Sequence, residues 1–140
     1  MVDDIIKKYP DDVKVVIKNF PLSFHKQAYR AAQYALAARE QGKYMDMYRK
    51  IFDNFRNLKN NEDLPLEYAS ELGLDVEKLK MDADSPKIKA LIDEEINQMR
   101  TSGIPRLSVP KFLINGKEPQ GRSVEVWSAM IDEELKKIKK

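Results

Sequence analysis

Apolar and polar positions alternate most cleanly near the start of the chain. In "VKVVIKNF", Val13, Val15 and Ile17 fall on one face and Lys14, Val16 and Lys18 on the other. This period-two pattern of β-branched residues predicts a strand over residues 13–20, with the lysines marking a partly exposed face or an edge. Asp3 to Tyr9 reads as a short helix with Ile5 and Ile6 on one side, stopped by Pro10 and Asp11-Asp12. After "PLSFH" the period becomes helical. A helix over about 25–41 carries Ala28, Ala31, Ala32, Ala35 and Ala38 on a stripe of small residues that lets a neighbouring backbone approach, with Gly42 suited to its left-handed C-terminal position. A second helix over about 43–57 places Tyr44, Met47, Tyr48, Ile51, Phe52 and Phe55 at i, i+3, i+4 spacing, which is the spacing of a buried face.

Turn and capping residues divide the rest of the chain. Asp63 and Pro65 start a short helix that ends at Gly73, and Asp75 caps another through about Ala83. Ser85-Pro86 opens a helix to about Thr101 that buries Ile88, Leu91, Ile92, Ile96 and Met99. Arg106 to Gly116, "RLSVPKFLING", reads as a loop, then Val109-Pro110, then a strand over 111–115 closed by Asn115-Gly116, with "KEPQG" as the second arm of a hairpin. Ser123 caps a last helix with Val124, Trp127, Met130, Ile131, Leu135 and Ile138 inward. Two separated strand regions around a helical stretch, with no linker or internal repeat, imply a single α/β domain with a small sheet.

Composition narrows the function more by exclusion than by suggestion. The 140 residues suffice for one domain with a real core. The 42% apolar fraction is ordinary, and 34% charged residues with a mean hydropathy of −0.60 describe a well-solvated surface. A net charge of +2 makes no electrostatic case for nucleic acid or membrane as a partner. The basic "ELKKIKK" complements the dipole at a helix C-terminus. The N-terminal "MVDDIIKKYPDD" lacks the apolar stretch of a signal peptide, and no run approaches the roughly 18 apolar residues of a membrane helix, so the chain reads as soluble and untargeted.

The absence of cysteine removes disulfides, thiolate catalysis and thiolate metal sites together. One histidine, His25, cannot make a zinc site or a histidine triad with others, and beside Phe24 at a helix start it reads as a capping or packing residue. Asp3-Asp4, Asp11-Asp12, Asp93-Glu94-Glu95 and Asp132-Glu133-Glu134 fall on polar faces or turns and read as solvated charge. The glycines form no phosphate-cradling pattern. In "KYMDMYRKIFDNFR" the aromatics occupy the apolar face and the basic residues the opposite one, so packing accounts for them without nucleic acid. Neither a metal nor a cofactor is expected. For Pro110 taken alone, the generic expectation is a trans bond.

The landmarks in order are "YPDDVKVVIKNFPLSFHKQA", "ALAAREQGKYMDMYRKIFDN", "YASELGLDVEKLKMDADSPKIKALIDEEINQ" and "VPKFLINGKEPQG". Together they resemble the DsbA-like branch of the thioredoxin superfamily across essentially the whole chain. The resemblance implies a thioredoxin-like α/β fold of DsbA type over residues 1–140, with a helical insertion at about 25–102. It implies that Pro110 is the family's cis-proline and that the backbone of Val109 pairs with an extended peptide or protein substrate like an added strand. The family's chemistry is thiol–disulfide exchange, in which a helix N-terminus holds a cysteine as thiolate. Relatives are often periplasmic or otherwise extracytoplasmic. Many have threonine before the proline, where this chain has Val109.

One departure is decisive for chemistry. In the family the Cys-x-x-Cys pair lies between a first strand and a first helix, and Asp3 to Tyr9 matches only the end of that helix. No catalytic residue can be carried over. The implied fold is therefore truncated, its central first strand missing between segments 13–20 and 111–115, with both inner edges unpaired. The two strands could close on each other, a second chain could cover the gap as a homodimer through the open sheet, or the domain could be marginally folded. Three functional readings stay open. The chain is a fragment of a DsbA-like oxidoreductase, redox-inactive as it stands, including the case of a start placed after a selenocysteine codon. It is a non-catalytic peptide-binding module using the proline loop. Or it is a structural or oligomerisation domain.

Overall fold

The computed structural model describes residues 1–139, which fold into two compact units. One unit joins Met1–Ile17 to Arg106–Lys140, and the other is Lys18–Pro105.

In the Lys18–Pro105 unit, α2 (Lys26–Arg39) is the centre. Its alanines explain why: Ala35, Ala37 and Ala38 are buried together with Tyr34 and Leu36, so the helix is enclosed rather than one-sided. Around it pack α3 (Tyr44–Asp53), α5 (Pro65–Glu71), α6 (Val76–Ala83) and α7 (Pro86–Thr101), with the one-turn α4 (Phe55–Leu58) following α3. Met47, Ile51, Tyr68, Leu79, Ile88 and Ile92 close the core. Two helices end alike: Gly42 (φ +73°) lets the Lys43 N–H return to the Ala38 carbonyl at 2.9 Å, and Gly73 (φ +71°) does the same for Leu74 and Ala69 at 2.9 Å. Side-chain caps start two others. Asp75 accepts from the Lys78 N–H at 2.9 Å, and Ser85 accepts from that of Ile88 at 3.3 Å with Pro86 at the first turn.

Polar groups are paired where this unit buries them. Tyr34, fully buried, donates its hydroxyl to Asp63 at 2.5 Å, and Arg30 bridges Asp63 and Asp84. Burial and the neighbouring Asp63 carboxylate push the Tyr34 phenol up, while the hydrogen bond from Tyr34 and then Arg30 hold Asp63 below the usual carboxylate range. The buried Glu95 carboxylate accepts from both the backbone and the side chain of Asn19, at 2.7 and 2.9 Å.

In the other unit, α1 (Val2–Lys8) packs on α8 (Val124–Ile138) around Ile5, Tyr9, Trp127 and Ile131. The Tyr9 hydroxyl donates to Asp132 at 2.7 Å, and the Trp127 indole N–H to the Gly121 carbonyl at 3.0 Å. Ser123 caps α8 by accepting from the Val126 N–H at 3.3 Å.

The α/β thioredoxin-like architecture expected from the sequence is not what the chain forms. Among the described residues there are helices and no sheet, and neither 13–20 nor 111–115 is a strand. The expected hairpin is reduced to a single antiparallel bridge between Ile114 and Lys117 across Asn115 (φ +47°) and Gly116 (φ +81°), and "KEPQG" does not continue it. The physical reason is that a strand exists only with a hydrogen-bonded partner. Alternation specifies which faces two segments would present but supplies no partner, and segment 13–20 is divided between the two units. The long helix expected at 43–57 also breaks. Asn54 leaves helical geometry (φ −121°, ψ 18°), its side chain donates to the Lys50 carbonyl at 2.9 Å, and Phe52 and Phe55 point outward instead of into the core. Ile138, expected inward on α8, is exposed too.

Candidate functional site

The loop from Arg106 to Pro110 is exposed throughout. It begins at Arg106 with φ +55°, presents Leu107 and Val109 to solvent, and passes through a cis peptide bond between Val109 and Pro110. Val109 is 37% exposed, and its N–H and C=O have no partner among the described residues. The next carbonyl is fixed: Arg122 donates from Nη2 to the Pro110 oxygen at 3.0 Å. The Arg122 guanidinium also lies over the Phe112 ring at 5.7 Å, and Phe112 tilts against Trp127 with ring centroids 4.7 Å apart. The loop's end is thus tied through one arginine and two rings to α8.

Beyond the proline, a groove of about 280 Å³ runs between residues 12–16 on one side and 111–115 on the other. Val2 and Ile5 of α1 and Trp127, Ile131 and Leu135 of α8 also line it. Val15, Val16 and Leu113 are exposed there. At its rim Lys111 pairs with Glu118 at 2.8 Å. Glu134 accepts from Lys137 at 2.6 Å, Lys117 at 3.0 Å and Asn115 at 3.3 Å, which pulls its carboxyl down to about 2. The donors Asn115 and Lys117 thereby tie the Asn115-Gly116 turn to Glu134 of α8.

Val109 and Pro110, singled out from the sequence, are therefore adjacent, exposed and in a loop of defined shape. Arg122 and the groove were not legible. An arginine in front of a capping serine carries no pattern of its own, and the groove arises only when α1 and α8 are brought beneath two remote segments. His25 stands at the N-cap position of α2, exposed, with its ring 4.5 Å from that of Phe24 and no side-chain cap bond. Among the described residues no cluster of His, Cys, Asp and Glu could hold a metal ion, and no helix is long and apolar enough to cross a membrane.

Residues 1–133 match the family model described as Thioredoxin, and the chain belongs to that family. It does so without a cysteine. Among curated proteins, a Na(+)/H(+) antiporter NhaA of Herminiimonas arsenicoxydans is 30% identical over 119 residues, covering 85% of this chain and 18% of its own length. The Na(+)/H(+) antiporter NhaA 1 of Mycobacterium sp. (strain KMS) is 28% identical over 121 residues, covering 86% and 19%. That of Mycolicibacterium vanbaalenii is 26% identical over 121 residues. The chain spans about a fifth of the length of these relatives. No solved structure matches it.

Proposed function

We propose that this chain is a peptide-docking module of the thioredoxin family, DsbA-like in type, that receives extended polypeptide at Val109 and Pro110 and performs no thiol exchange itself. The observation that carries the reading is the contrast at the loop: the Val109 backbone is unpaired and exposed while the carbonyl one residue later is held by Arg122. A peptide strand needs a free N–H and C=O at a fixed place, and this loop offers one. The family match over residues 1–133 supports the assignment, and the lack of cysteine removes the nucleophile that thiol–disulfide exchange requires. The helical insertion at about 25–102 is part of the same proposal, supported by Lys18–Pro105 forming its own compact unit. From the antiporter relatives the proposal takes only the aligned region, since their name belongs to proteins about five times this length.

The test is titration calorimetry with an acetylated eight-residue peptide alternating valine and threonine. The wild-type chain binds it saturably, and Val109→Pro, which removes the loop N–H, abolishes that binding. Equal affinity in the variant sinks the reading. A second reading, a homodimer, is favoured by the exposure of Val15, Val16 and Leu113 on one unit. Light scattering decides it: a strict monomer at micromolar concentration rules it out.

A further inference from the structure

Of the seven asparagines in the chain, Asn115 alone is followed by glycine. Phe, Leu, Asn, Glu or Gln follows each of the others, and a side chain there shields the next backbone nitrogen from the asparagine amide. At Gly116 that shield is missing. Beyond its chain neighbours no atom lies within 4 Å of where a Cβ would stand, and its N–H has no hydrogen-bond partner among the described residues. Both residues are exposed, and both hold positive φ, +47° at Asn115 and +81° at Gly116, which strains asparagine more than glycine. The turn is also lightly held. Two backbone hydrogen bonds close it, from the Ile114 N–H to the Lys117 carbonyl at 2.8 Å and back at 3.0 Å, and no strand extends either arm. The Asn115 side chain adds one more, donating from Nδ2 to Oε2 of Glu134 on α8 at 3.3 Å. We propose that Asn115 is a site of spontaneous modification in the folded chain, losing its amide as ammonia through a cyclic imide with Gly116, and that the product frees the turn from α8.

The chemistry needs only water. The Gly116 nitrogen attacks Cγ of Asn115 and forms an N–Cγ bond. The Cγ–Nδ2 bond breaks, and the amide nitrogen departs as ammonia with the proton that Gly116 gives up. Water then opens the imide at one of its two carbonyl carbons. Addition at Cγ restores the main chain and leaves aspartate at this position. Addition at the backbone carbon leaves isoaspartate, in which the main chain runs through the former side chain and is one methylene longer. Nothing is oxidised or reduced. Either product removes the donor that Glu134 uses and sets a second carboxylate, ionised at neutral pH, beside the first. The longer main chain of isoaspartate also prevents a two-residue turn from keeping both bonds between Ile114 and Lys117. Lys117 and Lys137 still reach Glu134, so the disturbance falls on the turn and not on α8.

The experiment incubates the full chain at neutral pH, once in buffer and once in unfolding urea. Peptide mass spectrometry then follows the gain of about 1 Da that replaces the amide by a carboxyl, with the two isomers separated. The gain is expected at Asn115 in both isomers, while Asn60 and Asn61, also exposed, stay unchanged. Conversion in buffer should be slower than in urea by no more than about a hundredfold, which opening two backbone hydrogen bonds accounts for. The converted chain, separated by its added charge, should exchange the Ile114 and Lys117 amides at least about tenfold faster than the original. Asn115→Gly, which keeps a residue suited to positive φ but carries no amide, should show no mass gain in that peptide and should keep both amides protected. Conversion in urea with none in buffer overturns the proposal, since the folded turn would then protect the site. Conversion at Asn60 or Asn61 as fast as at Asn115 overturns it too. So does unchanged exchange at Ile114 and Lys117 in the converted chain, because the turn would then hold without its amide.

Discussion

Arg122 donates a hydrogen bond to the carbonyl of Pro110 at 3.0 Å, twelve residues back along the chain. The same guanidinium covers Phe112 at 5.7 Å, so one side chain sets both the exit of the proline loop and the first aromatic of the groove. Arg122→Ala should lower unfolding free energy by about 1 kcal/mol and weaken peptide binding about fivefold. Arg122→Leu, which still covers the ring but cannot donate, should recover most of the stability and little of the binding. Denaturant melts and calorimetry on the two variants read the difference. Identical behaviour in both assays would mean that Arg122 contributes packing only.

The Tyr34–Asp63–Arg30 network makes a pH prediction. Asp63 is held below its ordinary value by the hydrogen bond from Tyr34 and by Arg30. A carboxyl depressed in the folded state contributes stability that is full above its unfolded value, about 3.9, and is lost as pH falls through the folded one. The stability advantage of wild type over Asp63→Asn should therefore be largest at neutral pH and shrink between about pH 5 and pH 2. Urea midpoints across that range check it. A gap that widens on acidification contradicts the assignment.

Gly73 should resist substitution for backbone reasons alone. Its φ is +71°, and a Cβ placed there meets nothing within 4 Å. Gly73→Ala therefore creates no clash and should cost about 1–2 kcal/mol from the left-handed conformation. Gly73→Asn should cost less, because asparagine tolerates that region. Thermal melts of the pair separate conformational cost from packing.

Ile92 is fully buried on α7 among the residues that enclose α2. Ile92→Ala should cost about 2–5 kcal/mol, whereas Ile138→Ala, on an exposed end of α8, should fall within about 0.5 kcal/mol. A comparable loss at both positions would place the stabilising core elsewhere.

The helices were largely legible from sequence because their signals are local. Ser85-Pro86, Asp75 and Ser123 each satisfy a backbone donor within three residues, and Gly42 and Gly73 each close a helix within a few residues. The Val109-Pro110 loop was legible for a similar reason, as a short contiguous motif. The stripe on 43–57 misled at its far end because helical spacing says which residues share a face and not how far the helix runs before Asn54 breaks it.

The strands failed for a reason that no local signal repairs. The alternation of Val13, Val15 and Ile17 is genuine, yet pairing is a property of two segments, and in the folded chain the backbone of Lys14–Ile17 meets no other strand. The sequence by itself determined the helix caps, the loop before Pro110 and the absence of cysteine from these 140 residues, since each depends on residue type within a few positions. Tertiary structure alone decided that the expected sheet is absent, that Arg122 reaches Pro110, and that α1 and α8 line one groove with residues 12–16 and 111–115. Those outcomes depend on which distant segments meet, a choice set by the packing of Ile5, Tyr9, Trp127 and Ile131 rather than by the pattern of any one stretch.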